Sequence, residues 1–334
     1  MMTLFDAWSA LMAEGRTEPG WHARRVCSGS LCDVRAAVRS PDRAEAVLFE
    51  VSSRALPPWI DAPDCVGFEL GVESVISGPN GKVRLCLVLR DRRYHDIFGA
   101  LAEDVVRVVS GADSEQHAVK LLIGRLNTWR RFISQFGPEW LTEERQLGLF
   151  AELRFLRDEV IPLLPAGAAV RCWQGPYLRP QDFRFRAAAV EVKATASRNP
   201  STFPVSNLDQ LDPGGLDALL LFHVSLEVGS DGETLPQTVQ AVRASLLASD
   251  PAAAADFDAS LIEAGYLDIH AVHYERALRV CDVRWMAVRD AFPRLTGSSV
   301  PSGVTSATYS VSLEACGPFI LDADAARKIL EAGL

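Results

Sequence analysis

From Asp182 to Thr195 the chain reads Asp-Phe-Arg-Phe-Arg-Ala-Ala-Ala-Val-Glu-Val-Lys-Ala-Thr, and this run constrains the fold more than any other. An acidic residue opens one strand-like stretch, small residues turn the chain, and a second strand carries Glu191-Val-Lys193. Side chains alternate faces along a strand, so Glu191 and Lys193 share one face while Val190, Val192 and Ala194 enter a core. Two carboxylates and one amine therefore converge on a short hairpin.

That convergence has a chemical reading. Hard divalent cations take oxygen ligands, commonly one or two carboxylates with waters and phosphate oxygens. Asp182 and Glu191 supply the carboxylates, and the strand carbonyl of Val192 is a third candidate ligand for Mg2+, with Mn2+ as its substitute. Lys193 is placed to orient a water aimed at phosphorus or help deprotonate it. The reaction implied is metal-assisted phosphodiester hydrolysis. The competing reading is an ordinary ion pair between Glu191 and Lys193 on a solvated sheet face.

Three blocks carry a resemblance: Gly148-Leu-Phe-Ala-Glu-Leu-Arg-Phe-Leu156, Trp173-Gln-Gly-Pro176 leading to Gln181-Asp-Phe183, and Val190-Glu-Val-Lys-Ala-Thr195. Ser206-Asn-Leu-Asp-Gln-Leu211 follows at a fitting distance, and Phe292-Pro-Arg-Leu295 is similar to the C-terminal part of the same group. Together they resemble the PD-(D/E)XK nuclease superfamily, which includes restriction endonucleases. The closer similarity is to a bacterial family of PD-(D/E)XK-type proteins from defence gene clusters. Gln181 stands where the superfamily's name has proline, one of its least constant elements.

The resemblance implies a restriction endonuclease-like α/β fold, a mixed sheet flanked by helices. It implies a Mg2+-dependent DNA endonuclease of restriction or phage defence, working beside methyltransferase or ATPase subunits. Glu152, on the helix before the hairpin, would complete the site as an auxiliary acid; its plainer reading is a surface glutamate paired with Arg145 or Arg157. Gln210 would contact a phosphate or a water, or is simply a polar residue between Leu208 and Leu211 in a segment expected to begin a helix. Thr195 and Ser197 are phosphate donors or strand-end residues. A non-cleaving DNA-binding or scaffolding subunit of the same fold, and a nuclease acting on RNA, stay open. So does a homodimer.

Charge distribution supports a polyanionic partner better than the net charge of -9 does. Of 34 basic and 43 acidic residues, thirteen and eight fall between Gln116 and Pro200, leaving twenty-one and thirty-five elsewhere. The basic excess coincides with the candidate site, where Arg125, Arg130, Arg131, Arg154, Arg171, Arg179, Arg184, Arg186 and Arg198 are candidates for phosphate contact. Trp129, Trp173 and Tyr177 offer stacking surfaces but read better as core or hinge residues.

The seven cysteines are scattered without a Cys-x-x-Cys pair, which argues against a disulfide framework or a zinc site and for reduced thiols. No phosphate-binding glycine loop is present. His270-Ala-Val-His273 falls in a strand-like context that would send the two rings to opposite sides. With no run of eighteen apolar residues and no signal-peptide pattern at the N-terminus, a cytoplasmic protein without membrane contact is expected.

The organisation reads as two domains, a β-rich accessory lobe over 1–110 and a nuclease-like domain over 111–334. A helix over Leu4 to Met12 precedes strands at Glu45 to Val51, Cys65 to Val75 and Lys82 to Leu89, with a turn at Ser77 to Gly81. Helices are predicted over Tyr94 to Val109, with Ile97, Leu101, Val105 and Val108 as its apolar stripe, and over Gln116 to Phe136 and Thr142 to Val160. Leu216 to Leu226 is short and apolar enough for a buried central strand. Helices at Val239 to Leu247 and Ala252 to Ala264, a Gly214-Gly215 turn, and strands at Ala277 to Ala287 and Ala307 to Leu313 complete the reading.

Overall fold

A computed structural model of the chain describes residues 3–27, 32–57, 64–76 and 81–334. Its contacts divide the chain into two units, Met1–Glu139 and Trp140–Leu334. The boundary read from the sequence, at 110, lies ahead of a helix that packs within the first unit.

In the first unit, α1 (Leu4–Ala13) is followed by β1 (Gly20–Cys27), β2 (Asp33–Ser40), β3 (Ala44–Ser52), β4 (Phe68–Ile76) and β5 (Lys82–Leu89), then α2 (His95–Ser110) and α3 (Glu115–Phe136). The five strands form one antiparallel sheet in the order β1-β2-β3-β5-β4. Thr3 starts α1 with a reciprocal cap to Asp6. The helix is fixed to the sheet by Trp8, whose indole N–H donates to the Ala46 carbonyl at 2.9 Å while its ring stacks on Phe98 of α2. Gly99 makes room for the Phe5 ring, which a Cβ there would overlap. The buried stripe of α2 runs through Ile97, Leu101, Val105 and Val109, so Val108 of the expected stripe is displaced by its neighbour. The turn expected at Ser77 to Gly81 lies outside the described residues except for Gly81.

The second unit holds α4 (Glu143–Phe155), α5 (Ala166–Cys172), β6 (Phe183–Arg184), β7 (Ala188–Thr195), β8 (Thr202–Val205) and β9 (Ala218–Thr234). It continues through α6 (Leu235–Ser249), α7 (Pro251–Glu263), β10 (Ala277–Ala287), β11 (Tyr309–Ser312), β12 (Ile320–Leu321) and α8 (Ala323–Ala332). A five-stranded sheet runs β12-β10-β9-β7-β6, with β7 and β9 parallel and the other pairs antiparallel. The fold is thus mixed α/β, with helices flanking several sheets. Burial on both faces explains why the start of β9 is an unbroken apolar run.

The two faces of this sheet pack differently. On one, Phe155 of α4 sets its ring against Phe183, Phe222 and Trp285, at centroid distances of 4.7, 4.9 and 5.5 Å. On the other, Ala189, Leu221 and Met286 pack against Phe203 and Val205 of β8 and Val311 of β11, which form their own two-stranded ladder. The second closing strand read from the sequence is therefore β11, in this ladder, while the first is β10, inside the central sheet.

Local departures have local causes. Thr142 caps α4, but the α-helix ends at Phe155 and continues as a π-helical turn over Leu156–Val160. Thr234 and Gln237 form a capping box that starts α6 at Leu235, ahead of Val239. His270 and His273 lie in a 3-10 segment, Asp268–His273, instead of a strand; His270 is buried and the His273 ring stacks on Trp140 at 3.7 Å. Gly214 and Gly215 make their turn with φ of 50° and 84°. No helix among the described residues is long and apolar enough to cross a membrane, and all seven cysteines are free thiols.

Candidate active site

The site grows from the shortness of β6. That strand pairs with β7 only through Phe183 and Arg184, opposite Val190 and Ala189. Beyond Val190 this edge of β7 has no strand partner among the described residues, and the Asp182 carboxylate takes over: its Oδ2 accepts the Val192 N–H at 2.8 Å. Asp182 is held from behind as well, because its carbonyl accepts the N–H groups of Gln174 and Gly175 at 2.6 and 3.1 Å. A carboxylate at the end of a two-residue strand is thereby fixed against the middle of β7.

Glu191 and Lys193 share a face of β7, as alternation requires, and join in an ion pair of 2.9 Å from Nζ to Oε1. Glu191 is only 1% exposed, which removes the reading of a pair on a solvated sheet face. Its second oxygen, Oε2, is buried without a hydrogen-bond partner among the described residues. Lys193 Nζ also donates to Gln210 Oε1 at 3.1 Å. Gln210 is not in a helix, contrary to expectation. It sits in a turn organised by Asn207, whose Oδ1 accepts the N–H groups of Asp209 and Gln210 at 3.0 and 3.1 Å. The Ser206 N–H fixes the same Gln210 oxygen at 2.8 Å. Gln181, in the place of the motif's proline, ties this turn to the hairpin by donating to the Asp209 carbonyl at 2.8 Å.

Glu152 approaches from α4. It is no surface ion pair: its Oε2 accepts the indole N–H of Trp173 at 2.7 Å, while Arg157 is engaged by Asp158 and Glu233. Gly175 lies between the acids. A Cβ at that residue would overlap Glu152 Oε2 and stand 3.1 Å from Asp182 Oδ1. The Trp173-Gln-Gly-Pro176 block thus supplies both the indole that orients Glu152 and the vacancy that lets two carboxylates approach each other.

The electrostatics follow from this crowding. Burial and the neighbouring Asp182 push the Glu152 carboxyl up to about 8. Burial raises Asp182 to about 6 against the opposing pull of Lys193 and the Val192 N–H. Burial, then Asp182, hold Glu191 well above the ordinary carboxylate range, with Lys193 opposing. Three acids disfavour one another's charge around a single amine, and a cation relieves that. Among the described residues no three acidic, histidine or cysteine side chains form a ready-made cation cage. The fit lies instead in the donor set, all carboxylate oxygen as hard cations require, and in the orphaned Glu191 oxygen that a cation would satisfy. At Val192 the observed contact is its N–H on Asp182.

Of the basic residues singled out in the sequence, some are already paired and some are exposed. Arg125 is committed to Asp104 inside the first unit, and Arg154 to Asp158 and Glu233. Arg179, Arg184, Arg186 and Arg198 are exposed, on β6 or in the segments flanking β6 and β7. Thr195 points its hydroxyl at the buried His223, 3.2 Å from Nε2, so it closes the strand from within.

A family model described as "Putative PD-(D/E)XK family member, (DUF4420)" matches residues 4–314. The chain belongs to this family. The match runs through both units, so the PD-(D/E)XK assignment expected from three short blocks extends over almost the whole chain. Neither among curated proteins nor among solved structures does any protein match this family member.

Proposed function

We propose that the protein is a divalent-cation-dependent nuclease that hydrolyses DNA phosphodiester bonds in restriction or phage defence. The observation that carries the reading is the meeting of Glu152, Asp182, Glu191 and Lys193 at the unpaired edge of β7, around a buried carboxylate oxygen without a partner. Asp182 and Glu191 would hold Mg2+ or Mn2+, with the Val192 carbonyl as a further donor and Glu152 as auxiliary acid. Such a cation, when bound, supplies Lewis-acid stabilisation of charge on the scissile phosphate. Lys193 orients the attacking water and offsets the negative charge that develops on phosphorus. Gln210 holds the amine in place. The exposed Arg179, Arg184, Arg186 and Arg198 are suited to backbone phosphates, which gives an acidic protein a local basic approach. Subunits that act with it, a methyltransferase or ATPase among them, follow from the family resemblance.

Titration of Mn2+ into the full chain by calorimetry, beside incubation of supercoiled plasmid and of RNA with Mg2+ or EDTA, tests this reading. Wild type is expected to bind Mn2+ and to nick or linearise plasmid only with metal; Asp182→Ala and Glu191→Ala lose both. Absence of Mn2+ binding together with absence of cleavage would move the assignment to a non-cleaving DNA-binding subunit. Metal-dependent cutting confined to RNA would overturn the substrate alone.

Gly175 gives a sharper geometric check. Gly175→Ala forces the Glu152 and Asp182 carboxylates apart, although Trp173 and the Val192 N–H hold them in place. Changes behind metal ligands typically weaken affinity about 10–100-fold. The same loss of Mn2+ affinity is expected here with the melting temperature nearly unchanged, and a variant that binds as wild type does would show that Glu152 takes no part.

A further inference from the structure

Where the central sheet begins, the start of β7, the start of β9, the end of β10 and α8 line a half-open cavity of about 590 Å³. Ala188 in its wall precedes Lys193 by five residues on the same strand, roughly 16 Å at the rise of a β-strand. Its walls are mainly apolar, with Leu216, Leu219, Val288 and Ile329 among them. The size lies within the range of about 300–1,000 Å³ common to small-molecule sites, which are apolar with a few placed polar groups.

The placed group here is Arg294, from the Phe292-Pro-Arg-Leu295 segment that the nuclease reading leaves without a role. Arg294 lines the cavity, and its Nη1 is buried with no hydrogen-bond partner among the described residues. Its backbone is anchored on both sides. Phe292 is buried in the core cluster under β8 and β11, and Leu295 exchanges two hydrogen bonds with the Tyr309 hydroxyl, at 3.0 and 3.3 Å. A buried guanidinium nitrogen without an acceptor is costly unless an anion joins it. The planar fork of arginine matches a carboxylate or phosphate. The other charges lining the cavity, Asp217, Arg289 and Asp290, are exposed and include two carboxylates, which disfavours a polyanion such as duplex DNA and suits a small ligand with one anionic group.

We infer that this cavity is a second binding site, for a small organic anion whose carboxylate or phosphate monoester pairs with Arg294 and whose apolar body fills the space between the sheet and α8. The inference rests on the cavity and its arginine and does not depend on the nuclease reading.

The test uses the full chain in EDTA, so that the acidic site contributes no metal, and ligand-detected NMR with three probes: 4-phenylbutyrate, phenyl phosphate and the neutral 4-phenylbutan-1-ol. At least one of the two anions is expected to bind, about tenfold or more tightly than the alcohol, as loss of a charge-assisted hydrogen bond implies. Which anion binds identifies the head group. Arg294→Met is expected to lose that preference while its melting temperature holds or rises, because the unpaired charge is gone. Ala332→Phe, which fills the cavity from the exposed end of α8, is expected to lose binding with Arg294 intact. Failure of both anions to bind, equal binding by Arg294→Met, or a marked fall in the melting temperature of Arg294→Met, the mark of a structural arginine, would each overturn the assignment.

Discussion

Lys193→Ala is expected to lower plasmid cleavage by about 10²–10⁴-fold, the usual contribution of a positioned acid–base group, while Mn2+ binding is kept or strengthened. The opposite movement of the two quantities is the informative part. Among the described residues, Lys193 is the one cation beside Glu152, Asp182 and Glu191, and its amine lies 2.9 Å from Glu191. Removing it leaves three crowded carboxylates with nothing to balance them, which favours a divalent cation in the same place. If the lysine served only to neutralise a buried glutamate, its loss would lower the melting temperature and a bound metal would restore both fold and activity. Cleavage at the wild-type rate by metal-saturated Lys193→Ala would therefore sink the catalytic role. Gln210→Ala is the graded companion. It removes the 3.1 Å tether of the amine without removing the charge, so a smaller loss of rate with unchanged metal affinity is expected.

The core of this site was readable because each step is local. Alternation along β7 puts Glu191 beside Lys193 whatever the rest of the fold does, and the Ala-rich turn returns the chain to Asp182 within ten residues. The uses of Trp173 and Gly175 were not readable. An indole reads as core in any sequence, and a glycine reveals its purpose only when the atoms that would meet a Cβ are known. The helix expected to begin near Gln210 does not form, because the Asn207 side chain competes for the N–H groups of Asp209 and Gln210 and makes a turn. β1 and β2 escaped for another reason. Their arginines and small residues blur the period of two, and β1 is an edge strand whose side chains are never fully buried. A list of arginines close in sequence to the site does not separate the paired ones from the exposed ones. Arg125 belongs to an acid 21 residues earlier, a pairing that no spacing rule displays.

That acid carries the largest stability effect expected in the first unit. Asp104 is 6% exposed on α2, and both of its oxygens are saturated. Oδ1 accepts from Arg107 at 2.6 Å and from Arg125 Nη2 at 2.9 Å, while Oδ2 accepts from Arg125 Nε and from the indole N–H of Trp129 at 2.9 Å. Arg125 and Trp129 both lie on α3, so one carboxylate fastens α3 to α2. Removing one partner from a buried ion pair costs about 3–5 kcal/mol, because the charge left behind is still desolvated. Asp104→Ala strands the Arg125 guanidinium, whose side chain is 13% exposed, together with a buried indole N–H. A unit of this size should then melt roughly 10 °C or more earlier. Asp104→Asn keeps an acceptor and the volume, so it should recover part of the loss. Replacing Asp104 and Arg125 together by Leu and Met should recover more, since an apolar pair of similar volume leaves no buried charge behind. Differential scanning calorimetry of the full chain separates these cases. A shift of less than about 2 °C in Asp104→Ala would mean that water reaches Arg125, and that apolar packing alone holds α2 and α3 together.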